Sequence, residues 1–261
     1  MFPPVVEALG GFDPKATYDA ASSEYEEASR DYWQYLSTRT VDRLRLRPGE
    51  RVLDMPCGTG ASLIAAADRV GPAGRVVGID YAEQMLAIAR DKVRARRLDN
   101  VEIHAGDMTA IRRPDEPYDA VSCVLGIFFV DDMAGLVRSF RNLVRPGIGR
   151  VAVTVFGERF FDPMRDVFVE AVAQAAPGLA VVQPWRRTED AAVLRAIFEG
   201  GRDARRHDGH GRRCPAAAFG RRLVADRDGL GASPDGGGAR RGCGSRCAEP
   251  LQRVRPGARA R

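Results

Sequence analysis

Two carboxylates and a glycine-bearing turn carry most of the chemistry that can be read from this chain. The apolar run Val52-Leu53 ends in Asp54, and Met55-Pro56-Cys57-Gly58-Thr59-Gly60 follows as a tight turn. A helix-like stretch, Ala61 to Val70, comes next. Twenty residues past Gly60 a second apolar run, Val76-Val77-Gly78-Ile79, ends in Asp80. A strand, a turn, a helix and a strand with a terminal acid predict one nucleotide-binding βαβ unit. The glycines let backbone approach a ligand. A carboxylate at the end of the second strand is placed to accept hydrogen bonds from ribose hydroxyls, and its charge strengthens them.

Further motifs follow in order. They are Ala105-Gly106-Asp107-Met108, Tyr118-Asp119-Ala120-Val121-Ser122-Cys123-Val124-Leu125-Gly126-Ile127-Phe128-Phe129, and Arg145-Pro146-Gly147-Ile148-Gly149-Arg150-Val151. With Pro56 in its turn, the Asp54–Gly60 segment departs from the dehydrogenase pattern Gly-x-Gly-x-x-Gly. It resembles instead the first motif of class I S-adenosylmethionine-dependent methyltransferases. Each motif alone is weak, but four in order at normal spacing are specific. The resemblance covers roughly residues 40–157, with weaker support to 199, and falls in the small-molecule "type 11" group that includes ubiquinone/menaquinone-biosynthesis-like members.

That resemblance implies S-adenosylmethionine as cofactor. The turn would lie under its methionine part, with no pyrophosphate bound. Asp80 would hold both ribose hydroxyls. Asp107 would meet the adenine amino group, where an acid accepts from an N–H donor, and Met108 would pack on the ring as a soft apolar contact. The implied cofactor set is Asp54, Pro56, Cys57, Gly58, Gly60, Asp80, Tyr81, Met85, Asp107, Met108 and Val124. Phe128 and Phe129 are candidates to wall a substrate site, although aromatics at a strand end also serve as core. The implied reaction is SN2 methyl transfer from a sulfonium to an O, N or C nucleophile of a small molecule, where alignment in a dry, preorganised site supplies rate. A base is needed only if the nucleophile must lose a proton. No residue stands out for that role, and the catalytic assignment is left empty. Ile148 lies between two glycines where the group usually has Pro-Gly-Gly.

Three other residues invite a role and have plainer readings. Cys57 sits where a turn needs a small residue. His104 falls within an expected buried strand and reads as a core histidine. Asp131-Asp132 stand where a helix cap and first turn favour acids, so no metal site is expected.

The elements that must position these residues follow from periodicity. Short continuous apolar runs predict strands at Arg51–Asp54, Val76–Asp80, Val101–Ala105, Ala120–Leu125 and Arg150–Phe156. Helices are expected at Ser62–Val70, Ala82–Arg97 and Asp132–Val144. Strands alternating with helices imply an α/β, Rossmann-like, doubly wound and mostly parallel sheet with helices on both faces. The resemblance implies that residues 1–47 form an N-terminal helical lid, with Tyr25, Tyr32 or Trp33 as candidate cofactor contacts, and that residues 48–199 form the methyltransferase core. Beyond the fifth strand, Phe160–Ala176 predicts a helix with Val167, Phe168, Ala171 and Val172 inward. A last helix, Ala191–Glu199, has Thr188 as its expected N-cap.

The charge is unevenly placed. Of 40 basic and 35 acidic residues, the last 62 positions hold 15 arginines and six acids, a net of +9, which leaves the body at −4. The same 62 positions hold 13 glycines and no Ile, Lys, Tyr or Trp. Residues 200–261 therefore read as an irregular Arg/Gly-rich tail that lacks the closing strands of the group's sheet. Two origins stay open: a nucleic-acid-binding tail, or a frameshift in a GC-rich gene, which gives the same enrichment in Arg, Gly, Ala, Pro and Cys. Nucleic acid is not expected as a partner of the acidic body. The five cysteines form no disulfide framework, the start shows no signal peptide, and no apolar run suits a membrane span. A cytoplasmic protein with a small-molecule substrate is expected, its oligomeric state unassigned. Two competing functions remain. One is an RNA or protein methyltransferase, which would favour Asn-Pro-Pro-Tyr where this chain has Val124-Leu125-Gly126-Ile127. The other is a cofactor-binding but inactive protein with a damaged C-terminus.

Overall fold

A computed structural model describes residues 13–178, 181–201 and 223–225. Asp13 opens the first helix, α1 (Pro14–Ala20), by accepting from the Ala16 amide at 3.3 Å. The long α2 (Ser22–Leu44) ends at Arg45, whose φ of 49° turns the chain toward β1 (Arg51–Asp54). There follow α3 (Ala61–Val70), β2 (Arg75–Asp80), α4 (Glu83–Ala95), β3 (Val101–Ala105), β4 (Ala120–Val124), α5 (Met133–Leu143) and β5 (Arg150–Thr154). Helices α6 (Met164–Ala175) and α7 (Ala191–Gly200) and strand β6 (Leu223–Ala225) complete the described chain.

The sheet order is β3-β2-β1-β4-β5-β6, and every described pairing is parallel. Alternate residues of a strand face opposite sides, so a strand covered on both faces must be apolar throughout. Val52, Val76, Ala120 and Ala152 go to one face, under Val41 and Leu44 of α2, Leu63 and Val70 of α3 and Leu86 of α4. Leu53, Val77, Val121 and Val153 go to the other, against Leu136, Val137 and Phe140 of α5 and Leu194 and Phe198 of α7. The chain runs from β1 outward through β2 to β3, then returns to the middle and runs the other way from β4. The order reverses between β1 and β4, and such a reversal opens a crevice at the C-terminal ends of the strands.

The expected doubly wound sheet is present, with corrections at its margins. His104 is no core residue. Strand β3 lies at the sheet edge, and the imidazole is 59% exposed, 3.6 Å from Glu102 Oε2. Helix α6 starts only after Pro163 and buries none of its residues; Val167 and Phe168, expected inward, are 64% and 60% exposed. Its apolar stripe has helical period, but no described element covers it. The N-cap of α7 is Asp190, which accepts from the Ala192 amide at 2.7 Å, whereas the Thr188 hydroxyl is buried and donates to the Trp185 carbonyl. Within the tail, Leu223–Ala225 pairs with Val151–Val153 as a short sixth strand, so one closing strand stands where none was expected. The rest of the tail reading lies outside the described residues, as do residues 1–12 of the lid.

Candidate cofactor and acceptor site

The turn after β1 is held from below. Asp54 is fully buried, and each of its oxygens accepts from a serine: Ser62 Oγ at 2.7 Å and Ser122 Oγ at 2.6 Å. These serines tie the first turn of α3 and strand β4 to the end of β1. Burial lifts the Asp54 carboxyl to about 6, although both hydroxyls pull the other way. The Met55 amide donates to the Ser122 carbonyl and the Cys57 amide to the Ile79 carbonyl, both at 3.0 Å. The turn is thus stitched to both neighbouring strands. Gly58 and Gly60 have φ of 51° and 88°, which side chains avoid. A Cβ on Gly60 would press on Ala89 at 3.2 Å, whereas one on Gly58 meets nothing within 4 Å. Gly58 therefore faces open space, and its backbone is available to a ligand.

Asp80 stands across that space at the end of β2. Its Oδ2 accepts from the Gly58 amide at 2.8 Å and its Oδ1 from the Ala82 amide at 3.0 Å. Each carboxylate oxygen can accept more than one bond, so both keep capacity for hydroxyl donors. Asp80 is 6% exposed, and burial raises its carboxyl above the usual range against the pull of the Ala82, Gly58 and Tyr81 amides. The bond from Ala82 also fixes the chain at the residue that precedes α4.

The remaining expected residues fall at the same edge of the sheet or just beneath it. Asp107 is exposed after β3 and accepts at 2.7 Å from the Thr109 amide and at 2.8 Å from its hydroxyl; Met108 beside it is half-buried. Tyr81, Pro56 and Val124 are half-buried, and Met85 is buried in α4. Cys57 is buried, and desolvation raises its thiol well above the ordinary value, which leaves it a poor nucleophile. Phe128 is buried at 2% exposure and Phe129 is half-buried, so only the second offers much surface. Asp132 caps α5, with Oδ1 accepting from the Gly135 amide at 2.7 Å. Among the described residues no His, Cys, Asp and Glu group could hold a metal.

Several contributors had no local signal in the sequence. Tyr18 on α1 packs edge-on against Phe129 at 5.8 Å, and burial with the nearby Asp80 charge pushes its hydroxyl up to about 12. Asp19 accepts from the Gln84 amide at 2.9 Å, docking α1 on the start of α4. Lys92 of α4 donates to the Thr59 carbonyl at 3.0 Å and pairs with Glu26 of α2 at 2.7 Å. Lys92 therefore fastens α2 to the turn after β1. The rings of α2 continue inward: Tyr25 stacks on Trp33 at 5.0 Å, and Trp33 faces Phe156 at 6.4 Å. Arg187 donates to the carbonyls of Phe128 at 2.9 Å, Val130 at 3.1 Å and Asp131 at 3.4 Å. That guanidinium joins the turn Pro184–Thr188 to the turn Ile127–Phe129.

A parallel sheet whose order reverses beside a glycine turn, with a carboxylate at the end of the next strand, defines a Rossmann-like cofactor-binding domain. Known proteins sharpen that class. Residues 52–147 match the methyltransferase domain family. The chain is 33% identical over 130 residues to the demethylmenaquinone methyltransferase of Bacillus cytotoxicus, covering 50% of this chain and 54% of that one. It is 32% identical over 137 residues to the nocamycin O-methyltransferase of Saccharothrix syringae, covering 52% and 49%. A chain of the complex between the Haloferax volcanii Trm112 methyltransferase activator and a methyltransferase shares the fold, with a TM-score of 0.56, 19% identity and coverage of 73% and 76%. The chain spans about half the length of the curated relatives it matches. Over residues 52–147 the chain is similar to methyltransferase domains, and the curated relatives it matches over half their length include a demethylmenaquinone methyltransferase.

Proposed function

We propose that this protein binds S-adenosylmethionine in the crevice over β1, β2 and β4 and transfers its methyl group to an O, N or C nucleophile of a small molecule. The observation that carries the reading is the pairing of Gly58 with Asp80. An open left-handed glycine faces a buried carboxylate that has accepting capacity left. A ribose diol matches that carboxylate, because two O–H donors reach one charged acceptor. The fit extends to the rest of the crevice, where Gly58 admits backbone approach and Asp107 and Met108 offer an acceptor and an apolar face.

The cofactor supplies an electrophilic methyl group on a sulfonium. This chain's residues bind, orient and exclude water. Asp80 and Gly58 fix the ribose end. Asp54, held by two serines, keeps the turn at its height above the sheet. Tyr18, Phe129 and the rings behind them form an apolar wall over the crevice, and water kept away from a charge-dispersing transfer does not compete with the acceptor. No side chain is assigned as a base. The relatives' names, a demethylmenaquinone and a nocamycin O-methyltransferase, support a small-molecule acceptor.

Calorimetry with S-adenosylmethionine tests the reading. The native chain binds, and Asp80→Ala weakens binding at least tenfold, about 1.4 kcal/mol. Unchanged affinity in that variant removes the ribose assignment. Turnover to S-adenosylhomocysteine with a panel of metabolites then separates an enzyme from an inactive binder.

A further inference from the structure

We infer that the turn Gln183–Glu189 is the polar end of the methyl acceptor's site, where the Trp185 indole N–H donates to an oxygen carried on a flat, apolar body without negative charge. This rests on the methyltransferase reading above and adds the chemistry of the acceptor.

Buried polar atoms without partners are few in a folded domain, and each one needs an explanation. Among the described residues four buried side-chain atoms lack a partner; apart from Arg150 Nε on β5, the other three, Gln183 Oε1, Trp185 Nε1 and Glu189 Oε2, fall within one short stretch of chain. Leaving such a group dry costs its lost hydration with nothing in return. A cluster of them in one turn is the signature of a surface whose partner arrives from outside the fold.

The turn also stands in the right place. Trp185 meets Phe156 edge-on at 6.2 Å, and Phe156 continues to Phe160 at 3.9 Å and to Phe128 at 6.1 Å. Phe128 follows β4 and Phe156 follows β5, so these rings stand at the C-terminal edge of the sheet, beside the cofactor crevice. Arg187 locks the turn to that wall through three carbonyls. Aromatic faces suit a flat apolar body.

Charge decides the rest. Arg187 uses its donors on main-chain carbonyls, and Arg186 pairs with Glu189 at 3.4 Å. No free cation of the turn remains to neutralise an anion, and Glu189 adds negative charge. An indole nitrogen only donates and the two orphaned oxygens only accept, so the match is a carbonyl, ether or phenol oxygen on a molecule without negative charge.

The test compares 2-naphthol with naphthalene, which has the same flat body without the oxygen. Equilibrium dialysis is run on the full chain saturated with S-adenosylhomocysteine. The native protein binds 2-naphthol about tenfold more tightly, the size of one net hydrogen bond. Trp185→Phe keeps an aromatic ring but no donor, and binds the two probes alike with S-adenosylhomocysteine affinity unchanged. Trp185→His restores a donor and part of the preference. Equal affinity of the native chain for the two probes, or binding of neither, overturns the inference and needs no variant to fold. Persistence of the preference in Trp185→Phe also overturns it. Failure of the native chain to bind S-adenosylhomocysteine is a different result and strikes at the methyltransferase reading itself.

Discussion

At the scale of single residues, the two acids of the βαβ unit have separate tasks that spacing alone does not reveal. Both end a strand, and both suit a ligand-facing carboxylate in the sequence. In the fold, Asp54 is sealed beneath the turn with both oxygens occupied by serines, whereas Asp80 faces the crevice. Nothing in the sequence marks Ser62 or Ser122 for this role, because it exists only once α3 and β4 meet β1. The difference has a pH signature. The folded carboxyl of Asp54 titrates at about 6, above the usual unfolded value near 3.9. The folded state therefore holds this proton more tightly than the unfolded state. Stability from this group is fully present below the unfolded pKa and is lost as pH rises through about 6. Relative to Asp54→Asn, which does not titrate, the native protein should lose about 3 kcal/mol at most between pH 4 and pH 7. Denaturant unfolding of both proteins across that range reads the difference, and parallel curves for the pair would remove the assignment.

Among elements, the strands were legible because burial on both faces demands unbroken apolar runs, and each run was short and bounded by turns or acids. What periodicity could not supply is which elements become neighbours. His104 sits in an apolar strand and is nonetheless exposed, because β3 is the edge. Val167 and Phe168 show a helical stripe, but a stripe only marks a face and does not provide its cover. Arg187 was invisible for the opposite reason: its acceptors lie at Phe128, Val130 and Asp131, more than fifty residues away in the chain. The element-scale consequence is testable. Arg187→Met keeps the apolar stem and removes every donor, so partly buried carbonyls lose a charged partner. Such bonds are each worth about 1.5–3 kcal/mol, and solvent reaching the more open Asp131 carbonyl reduces the sum. A net loss of at least about 3 kcal/mol is expected from the two part-buried carbonyls, together with faster amide exchange in residues 127–131. Because the Asp80 carboxylate is untouched, cofactor affinity should change little while the acceptor KM rises. A variant that loses cofactor affinity and leaves the acceptor KM unchanged would place Arg187 elsewhere in the mechanism.

Over the whole molecule, charge and pairing divide the chain at the same place. The residues assigned to the cofactor lie between Asp54 and Val124, within the acidic body, and the arginine-rich positions follow Gly200. Beyond Gly201, whose carbonyl accepts from Arg141 at 3.1 Å, the described tail meets the body at β6, where Leu223–Ala225 covers Val151–Val153 of β5. An uncovered parallel edge exposes a row of backbone donors and acceptors and invites pairing with another copy. Two truncations separate the tail's contribution as a strand from its contribution as charge. A chain ending at Ala225 keeps β6 and loses eight of the tail's 15 arginines. It should match the full chain in thermal midpoint and bind S-adenosylmethionine within about twofold. A chain ending at Gly201 bares β5, and should aggregate sooner on heating while its remaining monomer still binds cofactor, because Asp80 and Gly58 lie on the far side of β1 from that edge. Light scattering during a thermal ramp, with calorimetry on the soluble fraction, reads both. Equal aggregation of the two truncations would mean that β6 protects nothing, and that the sheet closes at β5.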